Sequence, residues 1–264
     1  MDLRDKRILI SGASEGLGRA LAVALGAKGA RLGLLARSSR GLVQSAALAL
    51  KAGAPEALVF KGDVSKPAVR VLVARAVRRL GGLDVLINNA GVHAFAPVAA
   101  MPEALLLEIL QVNLLGPLRL TQAALPALRK GRGTVVNVGS SLAWRAIPNG
   151  GAYSASKAAL SRLGEALRDE EAQGGLRVLQ FDPGVVLTGL RRNALRHGVE
   201  LQEDPSGLPY PRSAEATAGE LVRALEAGRS RVISAAWPVR LWAKVLAPFF
   251  GETLDARMRL AGRN

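Results

Sequence analysis

The sequence predicts an α/β fold, a single-domain doubly wound Rossmann sheet, mainly parallel, with helices on both faces. Three observations predict it. Short, near-continuous apolar runs recur up to about residue 182, stretches of helical period separate them, and a glycine-rich turn joins the first run to the first helix. A strand buried on both faces reads as an unbroken apolar run rather than an alternating one. Strands alternating with helices then argue a parallel sheet covered on both sides.

The elements follow in order. Strands are expected at residues 7–11, 31–36, 57–61, 85–88, 134–138 and 177–182. Helices are expected at 17–28, 39–52, 66–80, 104–129 (broken at Gly116-Pro117) and 153–173. The third shows the period well: Val69, Leu72, Val73, Ala76, Val77 and Leu80 fall on one stripe. After Thr188 the pattern gives way to a polar, Arg-rich insert at 189–212, with Arg191, Arg192, Arg196 and His197 in it. A helix at 213–227 and a last strand at 231–234 follow. The tail, 237–264, places Trp237, Leu241, Trp242, Val245, Leu246, Phe249 and Phe250 near helical spacing. Residues 1–264 read as one domain with no internal repeat.

Composition excludes several classes. With 49% hydrophobic residues the chain is not intrinsically disordered. With no Cys it has no disulfide framework and no thiol redox chemistry, and its two His leave little material for a metal centre, so none is expected. The N-terminus is highly charged and is not a secretory signal. No stretch reads as the roughly 18–20 apolar residues of a membrane span, so a cytoplasmic location is expected. The net charge of +15 invites a nucleic-acid reading. The basic residues are scattered, however, and no zinc-finger or RNA-binding motif accompanies them, so no nucleic-acid partner is expected.

Between strand and helix runs Gly12-Ala13-Ser14-Glu15-Gly16-Leu17-Gly18. In that context a glycine motif points to a dinucleotide. Gly12 allows the tight turn, Gly16 lets backbone approach a diphosphate, and Gly18 lets the helix pack closely on the sheet. The diphosphate sits at the helix N-terminus, where unpaired N–H groups favour anions.

The spacing Gly-x-x-x-Gly-x-Gly is the form seen in the short-chain dehydrogenase/reductase family, which the sequence resembles over about residues 5–190. Further motifs agree. Asp63-Val64 resembles the pair that holds the adenine ring. Asn88-Asn89-Ala90-Gly91 resembles the segment that supports the sheet and lines the coenzyme ribose. Pro183-Gly184-Val185-Val186-Leu187-Thr188 resembles the segment facing the nicotinamide, with Val186 and Thr188 on the carboxamide. All lie at carboxyl ends of expected strands, where open α/β sheets bind ligands.

At the end of the second strand, where a carboxylate would bind the adenosine 2′-OH, stands Ala36. Arg37 and Ser38 follow, and a guanidinium suits a 2′-phosphate. NADP(H) is therefore expected over NAD(H), although Glu15 stands where NADP-preferring relatives often carry a basic residue.

Tyr153 and Lys157, four residues apart, share a helix face. Phenol has a pKa near 10, and a nearby ammonium lowers it. Tyr153 could then exchange a proton with a carbonyl or hydroxyl as hydride moves. The resemblance implies that Lys157 also holds the nicotinamide ribose. It makes Ser140, thirteen residues before Tyr153, the serine that orients the reacting oxygen, with Ser141 as the alternative. It implies that Asn113 joins a water-mediated proton relay.

The implied activity is an NADP(H)-dependent carbonyl reductase or alcohol dehydrogenase acting on a small-molecule substrate, lipophilic or a 3-oxoacyl thioester. A non-catalytic NADP-sensing regulator on the same fold is the alternative, and such proteins usually lose the Tyr or Lys. A homodimer or homotetramer is expected. The tail reads as core or subunit packing, with peripheral contact to an anionic membrane as the second reading. His93, a lone loop histidine, reads as structural or solvated.

Overall fold

The computed structural model describes residues 1–190, 193–199 and 210–234. The chain runs through β1 (Arg7–Ser11), α1 (Gly16–Gly26), β2 (Arg31–Ala36), α2 (Ser39–Ala52), β3 (Ala57–Lys61), α3 (Val69–Leu80) and β4 (Val85–Asn88). It continues through β5 (Ala94–Phe95), α4 (Glu103–Leu110), α5 (Gly116–Lys130), β6 (Thr134–Val138), α6 (Gly151–Glu170) and β7 (Arg177–Pro183). The remaining elements are β8 (Val186–Leu187), β9 (Leu195–Arg196), β10 (Arg212–Ser213), α7 (Ala214–Glu226) and β11 (Arg231–Ser234).

Seven strands form one parallel sheet in the order β11-β7-β6-β4-β1-β2-β3. Strand pattern explains the two-sided burial. Ile8 and Ile10 enter the core shared with α1, α2 and α7, while Leu9 enters the opposite core shared with α3 and α5. Leu34 and Leu35 on β2 divide in the same way. Each such fully buried side chain contributes roughly 1.5–3 kcal/mol relative to exposure. A third, smaller cluster sits above the sheet ends and packs Tyr153 with Ala94, Ile109 and Ala152.

The helix expected at 104–129 differs in detail. It does not break at Gly116-Pro117. It passes instead through a π-helical turn at Gln111–Leu115, and Pro117 opens α5 at a position where no N–H donor is required. The run 103–130 also meets the length and composition of a spanning helix, with mean hydropathy 1.3, which was not expected from the sequence. One-third of that apolar window is buried within the protein, and α5 packs on α3 and the sheet. Polar Gln111, Asn113 and Arg119 hid the run from a search for unbroken apolar residues.

The insert is less irregular than expected. Its described parts form two parallel two-stranded pairings, β5 with β9 and β8 with β10. Both tie it to loops at the carboxyl ends of the large sheet. Arg191, Arg192 and the tail at 237–264 lie outside the described residues.

Candidate active site

Loops at the carboxyl ends of β1, β2, β3, β4, β6 and β7 border one cavity of about 510 Å³. The glycine turn forms its floor. Gly12 has φ +67°, and a Cβ there would lie 2.7 Å from the Ala90 Cα. At Gly18 a Cβ would lie 2.1 Å from the Gly12 carbonyl oxygen. Both positions therefore require glycine for close backbone approach. Ser14, Glu15, Gly16 and Leu17 complete this edge of the cavity. Glu15 caps α1 with backbone only, so no side chain occupies the first-turn N–H groups. An anion fits that helix end, and the chain's own residues accept a dinucleotide there.

Asn89 holds the turn in place. Its Nδ2 donates to the Ser11 carbonyl at 3.0 Å and to the Gly12 carbonyl at 3.2 Å. Ser11 Oγ accepts from the Asn89 and Ala90 amides at 3.0 and 3.1 Å. Ser11 thus joins β1 to the Asn89-Ala90-Gly91 loop, a role with no signal in the sequence beyond a polar residue ending an apolar strand. Below, Asn88 Nδ2 donates to Asn137 Oδ1 at 2.9 Å and to Thr121 Oγ1 at 3.1 Å, tying β4 to β6 and α5.

Arg37 and Ser38 line the cavity beside Ala36, and both are exposed. Ser38 also caps α2, its Oγ accepting from the Gly41 amide at 3.1 Å. Asp63 and Val64 line the same region, and Asp63 Oδ1 accepts from the Ser65 amide at 2.9 Å. Across the cavity lie Pro183, Gly184, Val186 and Thr188. Thr188 reaches Gly16 closely: a Cβ on that glycine would meet the Thr188 Cβ at 3.2 Å.

Tyr153, Lys157 and Ser140 converge on one wall. Tyr153 and Lys157 are 5% and 4% exposed, and Lys157 Nζ lies 5.8 Å from the Tyr153 ring centre. Nζ donates to the Val138 carbonyl at 2.9 Å. Ser140, not Ser141, borders the cavity and hydrogen-bonds Tyr153. Burial pushes the Tyr153 phenol up to about 12, against the pull of the Ser140 hydrogen bond and with a further push from the Asp182 charge. The Tyr–Lys spacing predicts a lowered phenol; burial acts in the opposite direction. Burial also pulls Lys157 down to about 8, while Asp182 acts upward on it.

Asn113 is buried in the π-helical turn behind this wall. Its Oδ1 accepts from the Val92 amide at 2.9 Å, and its Nδ2 donates to the Val92 carbonyl at 2.9 Å and Ser156 Oγ at 3.0 Å. Gly91 lies between Asn113 and Lys157: a Cβ there would be 3.3 Å from Asn113 Oδ1 and 3.5 Å from Lys157 Nζ. His93 is not solvated. Its ring stacks on Tyr153 at 4.0 Å and on Phe95 at 4.2 Å. Nothing in the sequence pairs these rings, because β5 and α6 meet only through folding.

A parallel sheet of this strand order, with a glycine turn and a buried Tyr–Lys pair at its carboxyl edge, defines a dinucleotide-binding oxidoreductase. The short chain dehydrogenase family matches residues 6–197, and the chain belongs to it. An 11-beta-hydroxysteroid dehydrogenase A from Sesamum indicum is 33% identical over 270 residues, covering 98% of this chain and 77% of that protein. An alcohol dehydrogenase from the archaeon Thermococcus sibiricus, solved with 5-hydroxy-NADP, superposes with TM-score 0.77 at 28% identity, over 88% of this chain and 97% of that one. An NADH-dependent reductase, A1-R′, responsible for alginate metabolism, superposes with TM-score 0.74 at 26% identity, over 88% and 96%.

Gly18→Ala should push α1 off the Gly12 carbonyl, given the 2.1 Å approach. We expect dinucleotide affinity, read by fluorescence titration, to fall at least tenfold and the protein to melt earlier. An unchanged affinity would mean that the turn tolerates a Cβ.

Proposed function

We propose that this protein is an NADP(H)-dependent oxidoreductase that interconverts a carbonyl and a secondary alcohol. The observation that carries the reading is the convergence of Tyr153, Ser140 and Lys157 on the wall of the cavity whose floor is the glycine turn. When bound, the nicotinamide coenzyme supplies or accepts the hydride.

The chain's own groups handle orientation and the proton. Gly12, Gly16 and the open first turn of α1 receive the diphosphate. Arg37 and Ser38 receive the 2′-phosphate, since Ala36 offers no carboxylate to repel it. Asp63 and Val64 border the adenine, and Asn89 to Gly91 the ribose. Val186 and Thr188 hold the carboxamide end. With its pKa near 12, Tyr153 remains a neutral phenol at pH 7 and is set to donate its proton to a carbonyl oxygen. Ser140 Oγ orients that oxygen. The Lys157 ammonium stabilises the phenolate left behind and binds the ribose. Asn113, its amide taken by Val92 and Ser156, fixes the wall beside Lys157 along which the relayed proton moves.

The substrate side favours a lipophilic ketone or alcohol. Val92, Val138 and Leu190 line the cavity around the Tyr153 wall, and the similarity to a hydroxysteroid dehydrogenase points the same way. The proposal includes a cytoplasmic homo-oligomer, supported by Leu107 and Leu163, which are 51% and 43% exposed on α4 and α6. The direct test is NADPH oxidation against a panel of steroid-like, long-chain and small ketones and 3-oxoacyl thioesters; no turnover with any of them would defeat the reading.

Three outcomes are expected. Tyr153→Phe should lower kcat by about 10²–10⁴-fold while coenzyme affinity stays near wild type; retained turnover would remove the phenol from the mechanism. Arg37→Asp should weaken NADPH binding roughly tenfold or more and spare NADH, so equal losses for both coenzymes would contradict the assignment. Carbonyl reduction should decline as pH rises past about 8, where Lys157 gives up its proton. A pH–rate profile flat to pH 10 would contradict the role of the ammonium.

A further inference from the structure

Asp182 lies in β7 just outside the cavity and is fully buried. A buried carboxylate is costly unless hydrogen-bonded and matched by charge. Both of its oxygens accept hydrogen bonds, Oδ1 from Gln180 Nε2 at 2.7 Å and Oδ2 from Trp144 Nε1 at 3.1 Å. Two donors on two oxygens favour the ionised form, against burial, which pushes the carboxyl above its usual range. Space has been left for it: a Cβ on Gly139 would lie 2.0 Å from Asp182 Oδ1. Gly139 directly precedes Ser140, so this contact seats the carboxylate under the Ser140 turn.

The charges around it are few. From α6 come Lys157, the Tyr153 phenol and Glu165; from β11 comes Arg231. Arg231 acts on Asp182 more strongly than Lys157 does, but it is shared with a second carboxylate, donating to Glu165 Oε1 and to Ser161 Oγ at 2.7 Å each, and its guanidinium lies 4.9 Å from the Trp144 ring centre. On the far side of Tyr153 stands the stacked His93. Lys157 Nζ donates to the Val138 carbonyl at 2.9 Å, and Val138 pairs across the sheet with Phe181, the residue before Asp182, so the ammonium meets the sheet beside this carboxylate, whose charge favours the protonated amine.

We propose that Asp182 is a positioning residue of the active site, tying the turn from Ser140 to Trp144 onto β7 and standing as the buried counter-charge of the Lys157 ammonium. It rests on the reading of Lys157 as the support of Tyr153. One carboxylate then acts on both groups in the sense that carbonyl reduction needs. Its negative charge favours the protonated amine and disfavours the phenolate, so the site holds an ammonium beside a neutral phenol.

Asp182→Asn tests the charge with the shape kept. The amide oxygen can still accept from Trp144, and its N–H can donate to Gln180 Oε1, a buried atom without a partner, once the Gln180 amide turns over to present that oxygen in place of Nε2. Lys157 is followed in the free protein by lysine side-chain NMR titration, its signal assigned by loss in Lys157→Ala. The midpoint should fall by about one pH unit in Asp182→Asn. Trp144→Phe keeps a ring for Arg231 and removes one donor from the carboxylate, so it should move the midpoint in the same direction by less. An unchanged midpoint in either folded variant overturns the proposal. No substrate enters this experiment, so absence of turnover would count against the proposed activity and leave the titration to judge Asp182.

Discussion

The site is arranged around the burial of one cation. An ammonium withdrawn from water is unfavourable by several kcal/mol unless donors and charges answer it. Lys157 is 4% exposed, and the fold answers with the Val138 carbonyl at the end of β6 and with Asp182 on β7. Both answers come from strands of the central sheet. The same burial that makes Lys157 responsive near pH 8 drives Tyr153 to about 12.

A second constraint is close backbone approach. The β1 turn, the β4 loop and the start of α1 come within van der Waals contact only because Gly12 and Gly18 carry no side chain. Ser11 and Asn89 then fix the two loops by hydrogen bonds that satisfy buried backbone groups. These bonds form without a ligand, and a floor arranged beforehand reduces the entropy lost on binding. On the far side, the short β5–β9 and β8–β10 pairings tether the insert to the cavity rim, so the segment that borders the substrate side is held at both ends.

The proposed coenzyme preference rests on a different physical setting. Arg37 and Ser38 are exposed, and a surface guanidinium discriminates by charge and geometry without desolvation. Such a site is easily altered while the fold stays the same. Of the structural neighbours, one was solved with an NADP derivative and another is NADH-dependent.

The strands of the sheet were legible in the amino-acid order, because unbroken apolar runs such as Ile8-Leu9-Ile10 permit little else. So were the glycine turn, the Tyr153–Lys157 helix face and the loops that border the cavity, since local spacing dictates each. The break in the long helix was expected at Gly116-Pro117, a strong local breaker signal, whereas the chain has a π-helical turn at Gln111–Leu115 around Asn113, the residue that the family resemblance marks as helix-interrupting. The partner that stabilises the turn, the Val92 backbone, is 21 residues away. What only the tertiary structure decided is electrostatic and nonlocal. The upward shift of Tyr153, the stacking of His93 upon it and the seating of Asp182 beneath Gly139 all depend on burial and on contacts between distant segments. Periodicity tells which side chains turn inward; it does not tell which polar groups meet once water has been excluded.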